Sequence, residues 1–308
     1  MIYLSIKGRL GNQMFQYAFA RALKEKIGQD ILIDWHYVNN LDKIEPGVGY
    51  CNSLKDFNVS KFDSVESSEY DKYMSIRQKV AFRKYDKNFP YNGSLYERYN
   101  FEKDFLKKNE KTGLLFFENG YYNFQIKKVP KNVFLNGYYE SEKYFIGIEN
   151  IIKKEFTPIH NKLEHNNELY RQIENSNSVC VTVRRGDFLK SSLHNVCTIE
   201  YFLKGMDIIA SKIPNAKFFV FSNDVEWLKK NVDFKHTVAF ENGCDPVWEK
   251  LRLMYSCKHF VISNSTFSWW AQYLSSNKEK IVVAPDRWYN SEIKSDLLEN
   301  HNYIKINC

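Results

Sequence analysis

The six cysteines form no C-x-x-C pair, which removes the common zinc and redox-motif readings and leaves reduced, mostly buried thiols. No stretch reaches the ~18 apolar residues a membrane helix needs. Nor does the start combine a basic segment, a long apolar run and a small-residue cleavage site, so a cytoplasmic protein is expected. There is no low-complexity tract and no internal repeat at solenoid spacing. Lys+Arg 44 against Asp+Glu 37 gives a formal net charge of +7 without a basic block, which argues against nucleic acid and suits an anionic ligand or an acidic membrane surface. H-E-x-x-H, an Asp-x-Asp pair, G-K-[ST], the third glycine of G-x-G-x-x-G and the G-x-S-x-G elbow are also missing. A metal centre, a P-loop, a dinucleotide fingerprint and a serine triad are therefore not expected.

What is present is a chain of 308 residues, 44% hydrophobic and 26% charged, enough for one large or two medium domains. Residues 2–6 read as a strand, 8–11 as a glycine turn, 12–27 as a helix and 31–34 as a second strand. From 178 the alternation is regular. Strands are expected at 178–183, 217–222, 236–240, 259–263 and 281–285. Helices are expected at 198–212, 224–231, from Asp245 with Pro246 at its first position, and at 266–276. Strands alternating with helices of this length imply parallel βαβ units. The simplest architecture is two Rossmann-like halves, 1–160 and 175–308, joined through the polar, unpatterned stretch near 155–177. Residues 50–130 are an insertion of helices and loops that periodicity does not place.

Three strand ends of the second half carry polar residues where ligands of open α/β sheets sit: Arg184 to Asp187, Ser222 with Asn223 and Asp224, and Ser263 to Thr266. In VTVRRGDF, neighbouring strand residues point to opposite faces, so one arginine can meet a ligand while the other pairs with the protein's own carboxylates. A purely structural ion-pair network is the alternative. In VISNSTFSWW, Asn264, Ser265 and Thr266 open a helix whose exposed N–H groups suit a phosphate, with an ordinary N-cap as the bland alternative. Phe267 is a stacking candidate, while Trp269 and Trp270 read as helix packing. A guanidinium and a helix N-terminus at one sheet edge can hold a diphosphate from two sides. Gly8 and Gly11 either approach a phosphate or only let the backbone turn. Asn12 and Gln13 are less easily explained by a turn.

GRLGNQMFQYAFARAL at 8–23, VTVRRGDF at 181–188, FVFSNDVEW at 219–227 and LRLMYSCKHFVISNSTFSWWAQYL at 251–274 together resemble the bacterial α-1,2-fucosyltransferases of glycosyltransferase family 11. The resemblance implies an α/β GT-B fold, two Rossmann-like domains facing a central cleft, with acceptor on the first domain and GDP-β-L-fucose on the second. It implies inverting transfer of fucose to a galactose 2-hydroxyl, without metal or other cofactor. Arg184 corresponds to the arginine associated with the donor's β-phosphate, with Arg185 beside it. Ser265, Thr266 and Phe267 match a segment contacting diphosphate and nucleotide, and Gly11 and Asn12 match the loop approaching the fucosyl end. Thr182 stands where the family usually has a histidine linked to guanine contact. Lys250 stands near the usual acidic residue, so Asp245 or Glu249 would have to substitute.

Breaking the fucose C1–O bond places charge on the β-phosphate, which a fixed Arg184 favours in the transition state. Asp187 is the nearest motif carboxylate to act as base or, equally, to partner the arginines. His194 and Glu200 are further candidates. The expected partners are GDP-fucose, a galactose-terminated oligosaccharide or lipid-linked glycan in O-antigen or capsule biosynthesis, and the inner membrane face. A transferase making another linkage, or a non-catalytic nucleotide or glycan binder, stands as the alternative.

Overall fold

A computed structural model describes residues 1–45, 49–125, 130–299 and 301–308. The chain forms two compact units, Met1–Phe156 and Thr157–Cys308.

In the first unit, strands β1 (Ile2–Ser5), β2 (Ile31–Asp34), β3 (Asp63–Ser64), β4 (Leu114–Phe116) and β5 (Val133–Asn136) make a parallel sheet of order β3-β2-β1-β5-β4. Its helices are α1 (Leu10–Ile27), α2 (His36–Ile44), α3 (Tyr70–Tyr73), α4 (Ile76–Asn88), α5 (Leu95–Asn109) and α6 (Glu149–Glu155). α1 starts two residues earlier than the periodicity indicates, so Gly11 lies inside its first turn and is buried. The 50–130 stretch holds α4 and α5, each opened by a capping box, Ser75 with Gln78 and Ser94 with Glu97; residues 126–129 lie outside the described residues. Each box satisfies two otherwise orphan helix donors.

The second unit contains β6 (Asn177–Val183), β7 (Ala216–Ser222), β8 (Val238–Phe240), β9 (His259–Val261), β10 (Val282–Pro285) and β11 (Ile304–Ile306) in the order β11-β10-β9-β6-β7-β8, all parallel. α7 (Asn167–Glu174), α8 (Gly186–Leu189), α9 (Ile199–Lys212), α10 (Val225–Asn231), α11 (Val247–Ser256) and α12 (Thr266–Leu274) complete it. β6 is buried from Ser178 to Val183, as a central parallel strand covered on both faces must be. Val179, Val181, Phe218, Val220, Val261 and Val283 pack with Phe202, Met206 and Ile209 of α9 in one core.

These expectations need correction here. The stretch read as a polar joint contains α7, which buries Tyr170 and Ile173. β8 and β9 are each shorter than the expected 236–240 and 259–263. The helix expected from Asp245 begins at Val247, with Pro246 in extended backbone as its N-cap and no side-chain cap. Proline fixes φ but leaves ψ free, so it serves outside the helix as well as at its first position.

Candidate active site

β6 and β9 are neighbours in the sheet, so the segment after Val183 and the start of α12 leave it side by side. Arg184 donates from Nη2 to Asp187 Oδ1 at 2.7 Å, and its guanidinium carbon lies 5.3 Å from the Phe188 ring centre. Arg185 turns the other way. Its Nε is 3.3 Å from Asp224 Oδ2, its guanidinium lies over Trp227, and its backbone N–H donates to Asn223 Oδ1 at 3.0 Å. Both arginines lie beyond the last strand residue, so α8 and α10, more than strand pleat, set their divergence. Gly186 permits the turn: its φ is +39°, and a Cβ there would sit 2.3 Å from Asn223 Nδ2. Ser222, buried, accepts at Oγ from the Asp224 N–H at 3.0 Å.

Ser265 occupies the N-cap position of α12, yet its side chain makes no cap bond, so the ordinary-cap reading fails. Ser265, Thr266 and Phe267 are half-buried, a row of polar and aromatic groups at the sheet's ligand edge. Trp269 and Trp270 are fully buried, as packing residues should be.

Asn264 is different. Its amide donates to the His194 and Trp288 carbonyls at 3.0 and 2.8 Å, so this buried side chain is a strut between loops and not a donor contact as expected. Thr182 is 4% exposed; its Oγ accepts from the Ser263 N–H at 3.0 Å and donates to the Val261 carbonyl at 3.5 Å. Its hydroxyl thus braces the β9–α12 corner, and the side chain does not present itself to a base. Asp245 accepts from His165 Nε2 and from the Asn166 and Asn242 amides at 2.7, 2.6 and 2.9 Å. Burial pushes its carboxyl up, but these hydrogen bonds outweigh it and hold the group below its ordinary value. Glu249 is fully buried, accepting from the Leu163 N–H and Asn166 and lying 3.6 Å from Arg252. Asp245 and Oε1 of Glu249 thus bind the segment before α7 to α11, whereas the buried Glu249 Oε2 makes no hydrogen bond with a described residue.

Gly11 and Asn12 belong to the first unit. The turn before them needs glycine, since Gly8 has φ +70° and a Cβ would meet Asn12 Nδ2 at 2.6 Å. Gln13 is explained by structure: buried, it donates to the Gly8 and Cys51 carbonyls and accepts from the Ser53 N–H. At the carboxyl edge of this sheet Lys7 pairs with Glu118 at 3.2 Å, which periodicity did not single out.

The sequence also passed over the surroundings of His194. Its Nδ1 is 2.9 Å from Ser191 Oγ, and its ring faces Phe188 and Tyr289 at 5.4 and 5.7 Å. Burial lowers its pKa against an opposing pull from Asp187, so it is neutral at pH 7 and able to take a proton. Glu200 is exposed in the first turn of α9, where its own backbone N–H and then the Thr198 hydroxyl hold its carboxyl below the ordinary value.

The family model described as glycosyl transferase family 11 matches residues 102–307. The chain belongs to glycosyltransferase family 11. It is 29% identical to an alpha-1,2-colitosyltransferase of Escherichia coli, over 95% of this chain and 93% of that one. It is 29% identical to the O-antigen biosynthesis glycosyltransferase WbnK of Escherichia coli, over 96% and 97%. Among solved structures, NodZ alpha-1,6-fucosyltransferase soaked with GDP-fucose covers 92% of this chain and 94% of its own, with a TM-score of 0.52 at 12% identity. That likeness shows a shared fold, so this family 11 glycosyltransferase has the GT-B type of two parallel α/β units. No helix among the described residues is long and apolar enough to cross a membrane.

Proposed function

We propose that this glycosyltransferase moves L-fucose from GDP-β-L-fucose to the 2-hydroxyl of a terminal galactose, with inversion and without metal, on an oligosaccharide or lipid-linked glycan of O-antigen or capsule assembly. The observation that carries the reading is the divergence of the paired arginines beside an uncapped helix start. Arg184 is held by Asp187 at the ligand edge, and the half-buried Ser265 to Phe267 row lies at the adjacent strand end. A diphosphate seated there would meet a guanidinium fork and backbone N–H groups, which stabilise the charge that develops on the β-phosphate as the C1–O bond breaks.

In this reading Arg184 neutralises the leaving GDP and Asp187 orients it. Asp187 already shares its charge with Arg184, which favours a positioning role over that of base; His194, neutral and nearby, is the alternative acceptor of the hydroxyl proton. Arg185, Ser222 and Asn223 shape the adjoining turn. Gly11 and Asn12 are assigned to the sugar end of the donor, Phe267 to the nucleotide.

A second reading, colitosyl transfer, is favoured by the likeness to the colitosyltransferase. Incubation with GDP-fucose or nucleotide-activated colitose and a panel of galactosides, followed by NMR of the product, tests both. An α-1,2-fucosylated galactoside supports the first reading. Turnover of colitose alone supports the second, another linkage overturns the regiochemistry, and binding without turnover of either sugar would leave a glycan or nucleotide binder.

A further inference from the structure

The first unit has a cavity of about 640 Å³ at the amino edge of its sheet, opposite the edge where α/β ligands bind. The residues before β1 and β5 form its floor. Lys72, Arg77, Lys111 and Lys131 line it, and none of the described lining residues is acidic. Lys72 is paired with Glu69 at 2.9 Å; the other three cations form no ion pair with a described residue. Like charges gathered without a counter-ion repel one another, an arrangement that favours an anion bound from outside.

The cavity is built and not a chance gap between loops. Gln78 of α4 donates to the Thr112 and Asn132 carbonyls at 2.9 and 2.8 Å, and Asn132 Nδ2 donates to the Tyr73 carbonyl at 2.6 Å. The start of α4 is thereby fixed to the segment leading into β5. Beside the cavity α4 presents an unusual face. Ile76 is 83% exposed, Val80, one turn on, is 47% exposed, and Tyr73 is exposed ahead of them. The same solvent side carries Arg77, Arg83, Lys84 and Lys87. Exposed apolar residues ringed by cations on one helix are the pattern of a segment lying in a lipid headgroup layer.

We propose that this face of the first unit docks on an anionic phospholipid surface, with a headgroup phosphate seated among Arg77, Lys111 and Lys131 and the Ile76 and Val80 side chains entering the interface. The inference is independent of the donor and acceptor assigned above. It gives the enzyme a second, non-catalytic binding site at the opposite edge of the first sheet.

Co-sedimentation with vesicles tests it. The full chain should pellet with phosphatidylcholine vesicles containing phosphatidylglycerol and stay in solution with phosphatidylcholine alone. Charge reversal in Arg77→Glu/Lys111→Glu/Lys131→Glu should weaken vesicle binding by about fivefold or more for each residue changed. Ile76→Ser/Val80→Ser should weaken it too, and both variants should keep wild-type turnover on a soluble acceptor. If the charge variant fails to fold, salt decides: wild-type binding must fall steeply as ionic strength rises. Equal binding to neutral and anionic vesicles, unaltered binding by the folded variants, or indifference to salt overturns the proposal. So does saturable binding of inorganic phosphate without pelleting on either vesicle, which would make the cavity a site for a free phosphate.

Discussion

The guanidinium carbon of Arg185 lies 3.2 Å from the centre of the Trp227 ring, a stacking contact that fixes it against α10. Arg184, one residue earlier, is held instead by Asp187. Adjacent identical side chains thus have different surroundings, and equal substitutions should have unequal effects.

Arg185→Lys should cost about 1–2 kcal/mol of stability, because an ammonium loses the planar stack on Trp227. Arg184→Lys should leave the melting temperature within a degree or so and lower kcat roughly a hundredfold or more, the scale of losing a donor to a developing anion. Thermal melts and steady-state kinetics on the two purified variants check this. Near-normal turnover in Arg184→Lys removes it from the diphosphate; matching melts and matching kinetic loss mean that both arginines reach ligand.

Activity should survive EDTA. Among the described residues no cluster of three or more His, Cys, Asp or Glu side chains could hold a metal ion, and Arg184 with the α12 start offers the positive charge a diphosphate needs. Loss of turnover on chelation, restored by Mn²⁺ or Mg²⁺, would refute the metal-independent reading. A modest gain with added Mg²⁺ would not, since the cation also sequesters released GDP.

The second unit was far more legible in the sequence than the first, for a physical reason. Central parallel strands such as Asn177–Val183, which carries no charge, and Ala216–Ser222, apolar from Phe218 to Phe221, are long runs, whereas Leu114–Phe116 and Asp63–Ser64 are too short to show a period. α4 and α5 did carry a readable signal, in Ser75-x-x-Gln78 and Ser94-x-x-Glu97, but their weak apolar periodicity hid it. At the site, Arg184, whose partner Asp187 is three positions on, and Ser265 to Phe267 fall at the sheet edge where the pattern put them, while Arg185 takes its partners Asn223, Asp224 and Trp227 from the next strand end. Thr182, Asp245, Glu249 and Asn264 are fixed by bonds to segments far along the chain, and no local pattern contains those partners.

Glu102 of α5 gives the first unit a pH dependence. Burial, reinforced by the charge of Glu118, pushes its carboxyl up to about 7, against hydrogen bonds from the Glu118 N–H and Tyr85 hydroxyl. The folded state therefore binds this proton more tightly than the unfolded chain. Its contribution is fully present below the unfolded pKa and is lost as pH rises through the folded one, roughly 3 kcal/mol over the shift. Melting temperature measured from pH 5 to about pH 8 should fall more steeply in the wild type than in Glu102→Gln. Parallel profiles would show that Glu102 is ionised at neutral pH.

Thr182 is the position at which the chain leaves the pattern of the family it resembles, and its surroundings alter what a substitution should do. Thr182→His should not sharpen guanine recognition, since the site is buried and an imidazole exceeds the space a threonine fills; overpacking should destabilise the protein by about 1–3 kcal/mol. Thr182→Val separates shape from bonding. It keeps the branched outline but deprives the Ser263 N–H of its acceptor, which should cost about 1–3 kcal/mol. Because Ser263 leads directly into Ser265 and Thr266, the freed corner should also raise the donor KM several-fold more than it lowers kcat. Chemical denaturation with donor-varied kinetics reads both effects. Unchanged stability in Thr182→Val removes the bracing role, and a tighter preference for guanine over adenine in a well-folded Thr182→His places the side chain against the base after all.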